Sequence, residues 1–347
     1  MYRPEEVTTV RDLRIVCLLH ANISIESIAL TLPIEVQSSA EMIRKIGVST
    51  ETQETTNCGH RYVLVTAAYN EEAFIENTIK AVISQTLLPK RWVIVSDTSV
   101  DDTDKIVKEY AERYNFIELI RTEKNHARNF ASKVYALNAG LERLKGDDYE
   151  FIGNLDADIS FEEPYFSRLI GEFDRDSGLG LAGGFIYEKN NGRFTTRTNN
   201  SVRSVAGAVQ MFRRECFESV GGILALKYGG EDWCAEVMAR MKGWRVRAFP
   251  ELRVFHHKPT GAGAGVLRYW FHQGFMDYSL GSHPIFVIIK CLRRLRTKPY
   301  FKGALARLAG FVCANYRREK RSVSTEFVDY LRKEQKARLL GRFPVLF

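Results

Sequence analysis

The residues best suited to chemistry in this chain are Asn154-Leu155-Asp156-Ala157-Asp158-Ile159, where two carboxylates stand two positions apart as a hydrophobic strand runs out. In an extended segment residues i and i+2 point to the same side, so Asp156 and Asp158 can address one ligand together. Two hard oxygen donors held that way suit a Mg²⁺ or Mn²⁺ ion that itself carries phosphate oxygens. The pattern therefore fits a protein that handles a nucleotide diphosphate. A bare Asp-x-Asp is also what a solvated turn after a strand looks like, because Asp is common in turns. The elements around the pair have to decide.

Tyr62-Val-Leu-Val-Thr-Ala-Ala-Tyr69 reads as a buried strand, Asn70 as the cap of the next helix, and Glu71 and Glu72 as acids in its positive first turn. Phe74, Ile75, Ile79, Val82 and Ile83 then recur at helical spacing. The unit repeats as strand 92–95 with helix 102–114, strand 116–120 with helix 130–144, and strand 149–155 running into the Asp pair. Strands alternating with helices of about a dozen residues predict an α/β fold with a doubly wound, mostly parallel, Rossmann-like sheet. In such sheets ligands bind outside the carboxyl ends of the strands, where the turns at Tyr69-Asn70, Asp97 and Asp156 to Asp158 all fall. Further on, Gly229-Gly230 supplies a permissive backbone ahead of Glu231 to Met241, a predicted helix ended by Gly243. Glu231 and Asp232 there also suit the positive helix start.

With 347 residues, 45% hydrophobic and 12% aromatic, the chain is too apolar for disorder and long enough for one main core with appendages. Its six cysteines form no C-x-x-C pair and no metal-ligand spacing, which reads as reduced thiols in the cytoplasm. The longest uncharged apolar stretches are shorter than the roughly 20 residues that span a bilayer, and no basic n-region with a cleavable apolar stretch opens the chain. The expectation is a protein neither membrane-spanning nor exported. Charge is uneven. Residues 266–347 hold 17 Lys and Arg against 5 acids, a net of +12 within an overall +8, so residues 1–265 carry −4. Within 284–321 apolar clusters alternate with Arg and Lys clusters, which suits an in-plane helix on an anionic membrane surface. A helical subdomain with a solvated basic face is the plainer reading, and nucleic acid is disfavoured. Residues 1–60 form an extension of no assigned role, 61–260 the main domain and 261–347 a basic, helical carboxy-terminal region.

Five segments together resemble a known family. Val65-Thr-Ala-Ala-Tyr-Asn-Glu-Glu72, Ser96-Asp97-Thr-Ser-Val-Asp-Asp-Thr103, Lys133-Val-Tyr-Ala-Leu-Asn-Ala-Gly140, Leu155-Asp-Ala-Asp158 and Gly229-Gly-Glu-Asp-Trp233 follow the order and spacing of family 2 inverting glycosyltransferases with the GT-A fold. The resemblance covers about residues 61–258 and implies transfer of a hexosyl group from a nucleotide-diphosphate sugar.

It also implies roles. Ala68, Tyr69, Glu71, Asp97, Lys133 and Asp156 would line the nucleotide sugar, with Asp97 reading the base and Lys133 near the diphosphate. This chain has Ser96 and Thr98 where the family's Asp-Asp-Gly-Ser turn has an acid and a glycine. Asp158 would be the direct metal ligand, Asp156 would sit by ribose and metal, and His256, in competition with His257, would complete the shell. The bound cation neutralises charge growing on the departing diphosphate. Inversion needs a base for the acceptor hydroxyl, for which Asp232 is the candidate, with Glu231 orienting the acceptor.

The acceptor expected from this resemblance is a lipid-linked glycan or polysaccharide precursor in cell-envelope or exopolysaccharide synthesis, reached at the inner face of the membrane. Processive synthases carry a Gln-x-x-Arg-Trp motif and membrane spans; neither stands in this sequence, so one sugar per encounter is expected. A sugar-nucleotide pyrophosphorylase would show a Gly-rich loop and Lys near the first strand, where Thr66-Ala-Ala-Tyr-Asn stands instead. A non-catalytic nucleotide-sugar-binding or scaffold protein of the same fold is the remaining alternative.

Overall fold

The computed structural model describes residues 59–123, 131–190, 192–197, 200–258, 265–295 and 299–341. Almost all of the 1–60 extension lies outside the described residues. Four strands form the parallel half of one sheet: β1 (Tyr62–Ala68), β2 (Arg91–Ser96), β3 (Ile117–Arg121) and β4 (Phe151–Asp156), in the order β3-β2-β1-β4. The crossovers are α1 (Ile75–Ile83), α2 (Thr103–Ala111) and α3 (Ser132–Arg143). The sheet then turns mixed. β8 (Val209–Arg213) runs antiparallel between β4 and β6 (Leu179–Asn190), and β9 (Arg245–His256) lies parallel to β6. β5 (Ile159–Phe161) closes that edge antiparallel to β9, while β7 (Arg193–Thr196) pairs with β6.

Strand alternation builds two cores. Tyr62 and Leu64 of β1, with Trp92 and Ile94 of β2, face Ile75, Ile79, Val107 and the aromatic residues of α4 (Tyr165–Arg175). Val63 and Val65, with Val93 and Val95, face α3, α5 (Arg214–Val220) and α6 (Glu231–Met241) on the other side. Residues buried on both faces read as the near-continuous apolar runs seen at 62–68 and 92–95. Contact on the second face is close enough that a Cβ at Gly140 of α3 would strike Val65 and Val95.

The first helix starts later than the sequence predicts. Asn70 does not cap it; α1 begins at Ile75, behind a turn in which Phe74 N and Ile75 N donate to Glu71 O. Asn70 takes a positive φ of 51° and uses its Oδ1 to accept from Val100 N. The local capping signal is overridden by bonds between neighbouring loops.

The carboxy-terminal helices α7 (Val266–Ser279), α8 (Pro284–Arg293), α9 (Phe301–Tyr316) and α10 (Thr325–Leu339) belong to the same compact unit. α10 shares a core with α6, in which Cys234 and Val237 meet Phe327 and Leu331. α7 and α9 cross at Gly274 and Gly310, where any Cβ would run into the facing backbone.

Candidate functional site

The site stands at the carboxyl ends of β1, β2 and β4. Ala68 pairs with Ser96 and Ala67 with Asp156, so the turns after all three strands are neighbours by register. They are laced together. Asn70 N donates to Ser99 Oγ at 3.1 Å, Glu71 N to Thr103 Oγ1 at 2.8 Å, and Asp97 N to Ala68 O at 2.8 Å. Thr122 Oγ1 holds the Asp97 carboxylate at 3.2 Å. Thr98 sits at φ 59°, a left-handed position that favours glycine. That is the physical reason a glycine suits the turn, and this chain carries the strain of a threonine there.

Asp156 closes β4, and Asp158 follows in the turn to β5, only 7% exposed. The partner imidazole arrives through strand pairing: Ile159 of β5 is in register with His256 at the end of β9. His256 Nε2 lies 3.3 Å from Asp158 Oδ1, and one donor atom each from Asp156, Asp158 and His256 falls within 4.8 Å of the other two. His257 points elsewhere. Its Nε2 meets Ser160 Oγ at 2.8 Å and its ring packs against Phe74 and Phe194, while its backbone N–H donates to Asp158 O at 2.9 Å. Of the two histidines, the described geometry brings His256 to the carboxylates.

This cluster can hold a metal ion. Two carboxylates and an imidazole are an O,O,N donor set that Mn²⁺ accepts and Mg²⁺ tolerates, leaving positions for phosphate oxygens. The surroundings fit a cation. His256 Nδ1 and Glu71 Oε2 are buried without hydrogen-bond partners. Glu71, pushed up by burial and by Asp158 and Asp156, is steadied by Lys258 Nζ at 2.7 Å from its Oε1. His256 loses basicity to burial but regains more from Asp158 and Asp156, so it stands above the ordinary histidine value.

Lys133, half-buried on α3, pairs with Asp156. Burial works against its charge, but Asp156, Glu231 and Asp232 outweigh that and hold it above the ordinary lysine range. Glu231 and Asp232, at the amino end of α6, thus act on the same lysine that pairs with Asp156. Gly229 and Gly230, at φ 77° and 88°, turn the chain into α6. A Cβ on Gly230 would also stand 2.8 Å from Met276 Sδ of α7. Glu231 is pushed up by burial and by Asp232 beside it.

Two backbone donors fix the Asp232 carboxylate. Gly207 N donates to its Oδ2 at 3.2 Å and Trp233 N to its Oδ1 at 2.8 Å. The loop carrying Gly207 is itself pinned to β4: Asn154 Nδ2 donates to Gly207 O at 2.9 Å and Asp156 N to Ala208 O at 2.9 Å. From α6, Glu236 Oε1 accepts from Val205 N at 2.8 Å and Ser204 Oγ at 2.9 Å. Asp156 and Asp232 are therefore connected through one short loop. Gly207 and Glu236 carry no local signal, whereas Lys258, next to the paired histidines, had a sequence position that could have pointed to it.

Residues 63–227 match the family model described as Glycosyl transferase family 2. A Staphylococcus epidermidis protein named poly-beta-1,6-N-acetyl-D-glucosamine synthase is 25% identical over 201 residues, 53% of this chain and 45% of its own length. A Bacillus subtilis protein named Probable glycosyltransferase YdaM is 26% identical over 213 residues, 55% of this chain and 49% of its own. The chain thus spans about half the length of the curated relatives it matches. Among solved structures, GalNAc-T7 with UDP, GalNAc and Mn²⁺ is similar at a TM-score of 0.54 and 14% identity, over 82% of this chain and 58% of that one. That likeness is one of fold, and the fold is GT-A.

Proposed function

The chain belongs to glycosyltransferase family 2, and on that footing we propose that it is a metal-dependent, inverting transferase. It would move one sugar from a nucleotide-diphosphate sugar to a hydroxyl acceptor. The observation that carries this reading is the meeting of Asp156, Asp158 and His256 within 4.8 Å of one another, at strand ends where the fold binds ligands. Asp97 and Tyr69, with the turn after Ala68, would receive the base and ribose. Asp158, Asp156 and His256 would hold Mn²⁺ or Mg²⁺, which when bound neutralises the charge that develops on the nucleoside diphosphate as it leaves. Lys133 stands beside Asp156 with its charge secured and would add to that field.

Asp232 would take the proton of the acceptor hydroxyl as its oxygen bonds to the anomeric carbon and the bond to the diphosphate breaks on the opposite face. Attack from one face with departure from the other inverts the configuration. A base placed this way is worth about 10² to 10⁴ in rate. Glu231 would orient the acceptor. The name of the Staphylococcus epidermidis relative makes a nucleotide-diphosphate N-acetylglucosamine the first donor to try, and the acceptor class would be a lipid-linked glycan or polysaccharide precursor. The reading puts the protein in the cytoplasm, at the inner face of the membrane, where its basic carboxy-terminal helices would meet the acceptor.

The test is calorimetric titration of UDP-, GDP- and dTDP-sugars, with and without Mn²⁺, into the wild type and Asp158→Ala. Metal-dependent binding of one donor, lost in the variant, is expected; the anomeric configuration of the product, read by NMR, then checks inversion. Donor binding indifferent to both metal and Asp158 would overturn the mechanism. Binding without turnover on any acceptor would leave a nucleotide-sugar-binding protein.

A further inference from the structure

Among the described residues, twelve of the fifteen exposed large hydrophobic side chains lie at or beyond residue 266. They are sorted by helix face. In α8, Val287 and Cys291 turn inward, whereas Ile285, Ile288 and Leu292 are 55%, 43% and 57% exposed, at spacings of three and four. In α9, Ala304, Arg307, Phe311 and Ala314 are buried, whereas Phe301, Leu305 and Val312 are 61%, 65% and 57% exposed. Both sets are single apolar stripes. The stripes are contiguous, because Ile288 and Val312 line the same open cleft, of 290 Å³, together with Arg321 and Arg332.

The stripes are held firmly from behind. Asp277 of α7, 2% exposed, accepts from Arg307 of α9 at 2.6 and 2.9 Å and from Lys290 of α8 at 3.3 Å. This triad, in which Asp277 and Arg307 are buried, fixes three helices to one another, so the outward faces of α8 and α9 are a standing surface and not a frayed end. Directly after α9 come Arg317, Arg318, Lys320 and Arg321, all exposed. The one acid among them, Glu319, is held by Lys227 at 2.6 Å.

Contiguous exposed apolar surface beside a cationic run marks an interaction site. A second copy of the chain would bring like charge against like charge at its rim. Single-stranded nucleic acid would want stacking aromatic rings where these stripes are mainly aliphatic. An anionic bilayer satisfies both features: its headgroups take the arginines and its acyl boundary takes the apolar stripes. We propose that the outer faces of α8 and α9, with the basic run 317–321, are an in-plane docking surface for an anionic lipid bilayer. The inference takes its purpose from the transferase reading above, but its test does not depend on it.

The test is co-sedimentation of the full chain with vesicles of phosphatidylcholine alone or mixed with phosphatidylglycerol, at low and high salt. Donor titration is run on the same preparations. The double variant Ile288→Glu/Leu305→Glu and the charge variant Arg317→Glu/Arg318→Glu are compared with the wild type. Expected are wild-type binding to the mixed vesicles only, weakened by salt, and a loss of at least about tenfold in each variant with melting temperature and donor binding retained. Absence of wild-type binding, or binding that survives both variants, overturns the proposal. So does a lipid-free dimer in light scattering that the Ile288→Glu/Leu305→Glu variant dissociates. Donor binding that fails in every protein while vesicle binding persists would sink the transferase reading and leave the docking surface standing.

Discussion

Gly207→Ala is the most discriminating substitution, because it reaches the proposed base without touching it chemically. A Cβ built on Gly207 would stand 2.9 Å from both Cβ and Oδ2 of Asp232, against 3.4 to 4 Å for ordinary contact. One side must therefore yield by about 0.5 Å. The loop is poorly placed to do so: Asn154 holds Gly207 O, Asp156 holds Ala208 O, and Glu236 holds Val205 N. The shift falls on the Asp232 carboxylate, which also risks its 3.2 Å bond from Gly207 N. Misplacing a catalytic group by a sizeable part of an ångström costs about 10- to 100-fold in kcat, about 1.4 to 2.7 kcal/mol of barrier. Donor affinity should stay within about twofold of wild type, since none of the displaced atoms belongs to Asp156, Asp158 or His256. Asp232→Asn, which removes the base outright, should cost about 10² to 10⁴. Steady-state kinetics and metal-dependent donor titration on the same preparations separate these effects. A wild-type kcat in Gly207→Ala, or a loss lying wholly in donor affinity, refutes the assignment of Asp232.

Three further outcomes follow from buried charge. His256 must be neutral to bind a metal, and its carboxylate neighbours hold its proton above the ordinary value, so Mn²⁺ affinity should fall about tenfold per pH unit below that pKa; calorimetry on His256→Gln should show the slope gone. Glu236, pushed up to about 7 by burial from 4.5, keeps in the native state a proton that the unfolded chain releases. Stability should therefore fall as pH rises from about 4.5 to about 7, by up to about 3 kcal/mol, and level off above; denaturant melts across that range should be flatter for Glu236→Gln. Arg307→Leu leaves the Asp277 carboxylate buried with only Lys290 beside it, and should cost about 3 to 5 kcal/mol in the same melts, most of it recovered when Asp277→Asn is added.

The parallel half of the sheet was legible because its signals are local. Runs buried on both faces, such as 62–68 and 92–95, identify themselves by composition, and Glu231 to Met241 begins and ends at the glycines that flank it. Where long-range partners compete with local propensity, the sequence misleads. Asn70-Glu71-Glu72 has the form of a helix start, yet Glu71 is taken by Lys258, 187 residues away, and Asn70 by the loop after β2. His256 and His257 are neighbours on an extended segment and so face opposite ways. Which of them reaches Asp158 is set by the register of β5 on β9, and nothing at either position announces that register. The mixed half was the least legible for the same reason: Gly183 and Gly184 admit the backbones of Val209 and Leu252 so closely that no side chain fits, a condition imposed from outside β6.

The same reasoning bears on how the helical region relates to the site. Gly230, whose conformation sets Asp232 at the head of α6, abuts Met276 and Leu280 at the end of α7. Farther along α6, Arg240 joins Glu236 at 3.4 Å and Glu334 of α10 at 3.2 Å. Glu236 in turn grips the loop whose Gly207 N–H holds the Asp232 carboxylate. α6 is thus shared: one face belongs to the core beneath the sheet and the other to the carboxy-terminal helices. α7 carries the constraint outward, since Asp277 ties it to α8 and α9. A surface that docks those two helices on a bilayer would, through α7, also orient the helix that presents Asp232. If the transferase and docking readings both hold, that coupling would suit an acceptor presented at a fixed height above the membrane.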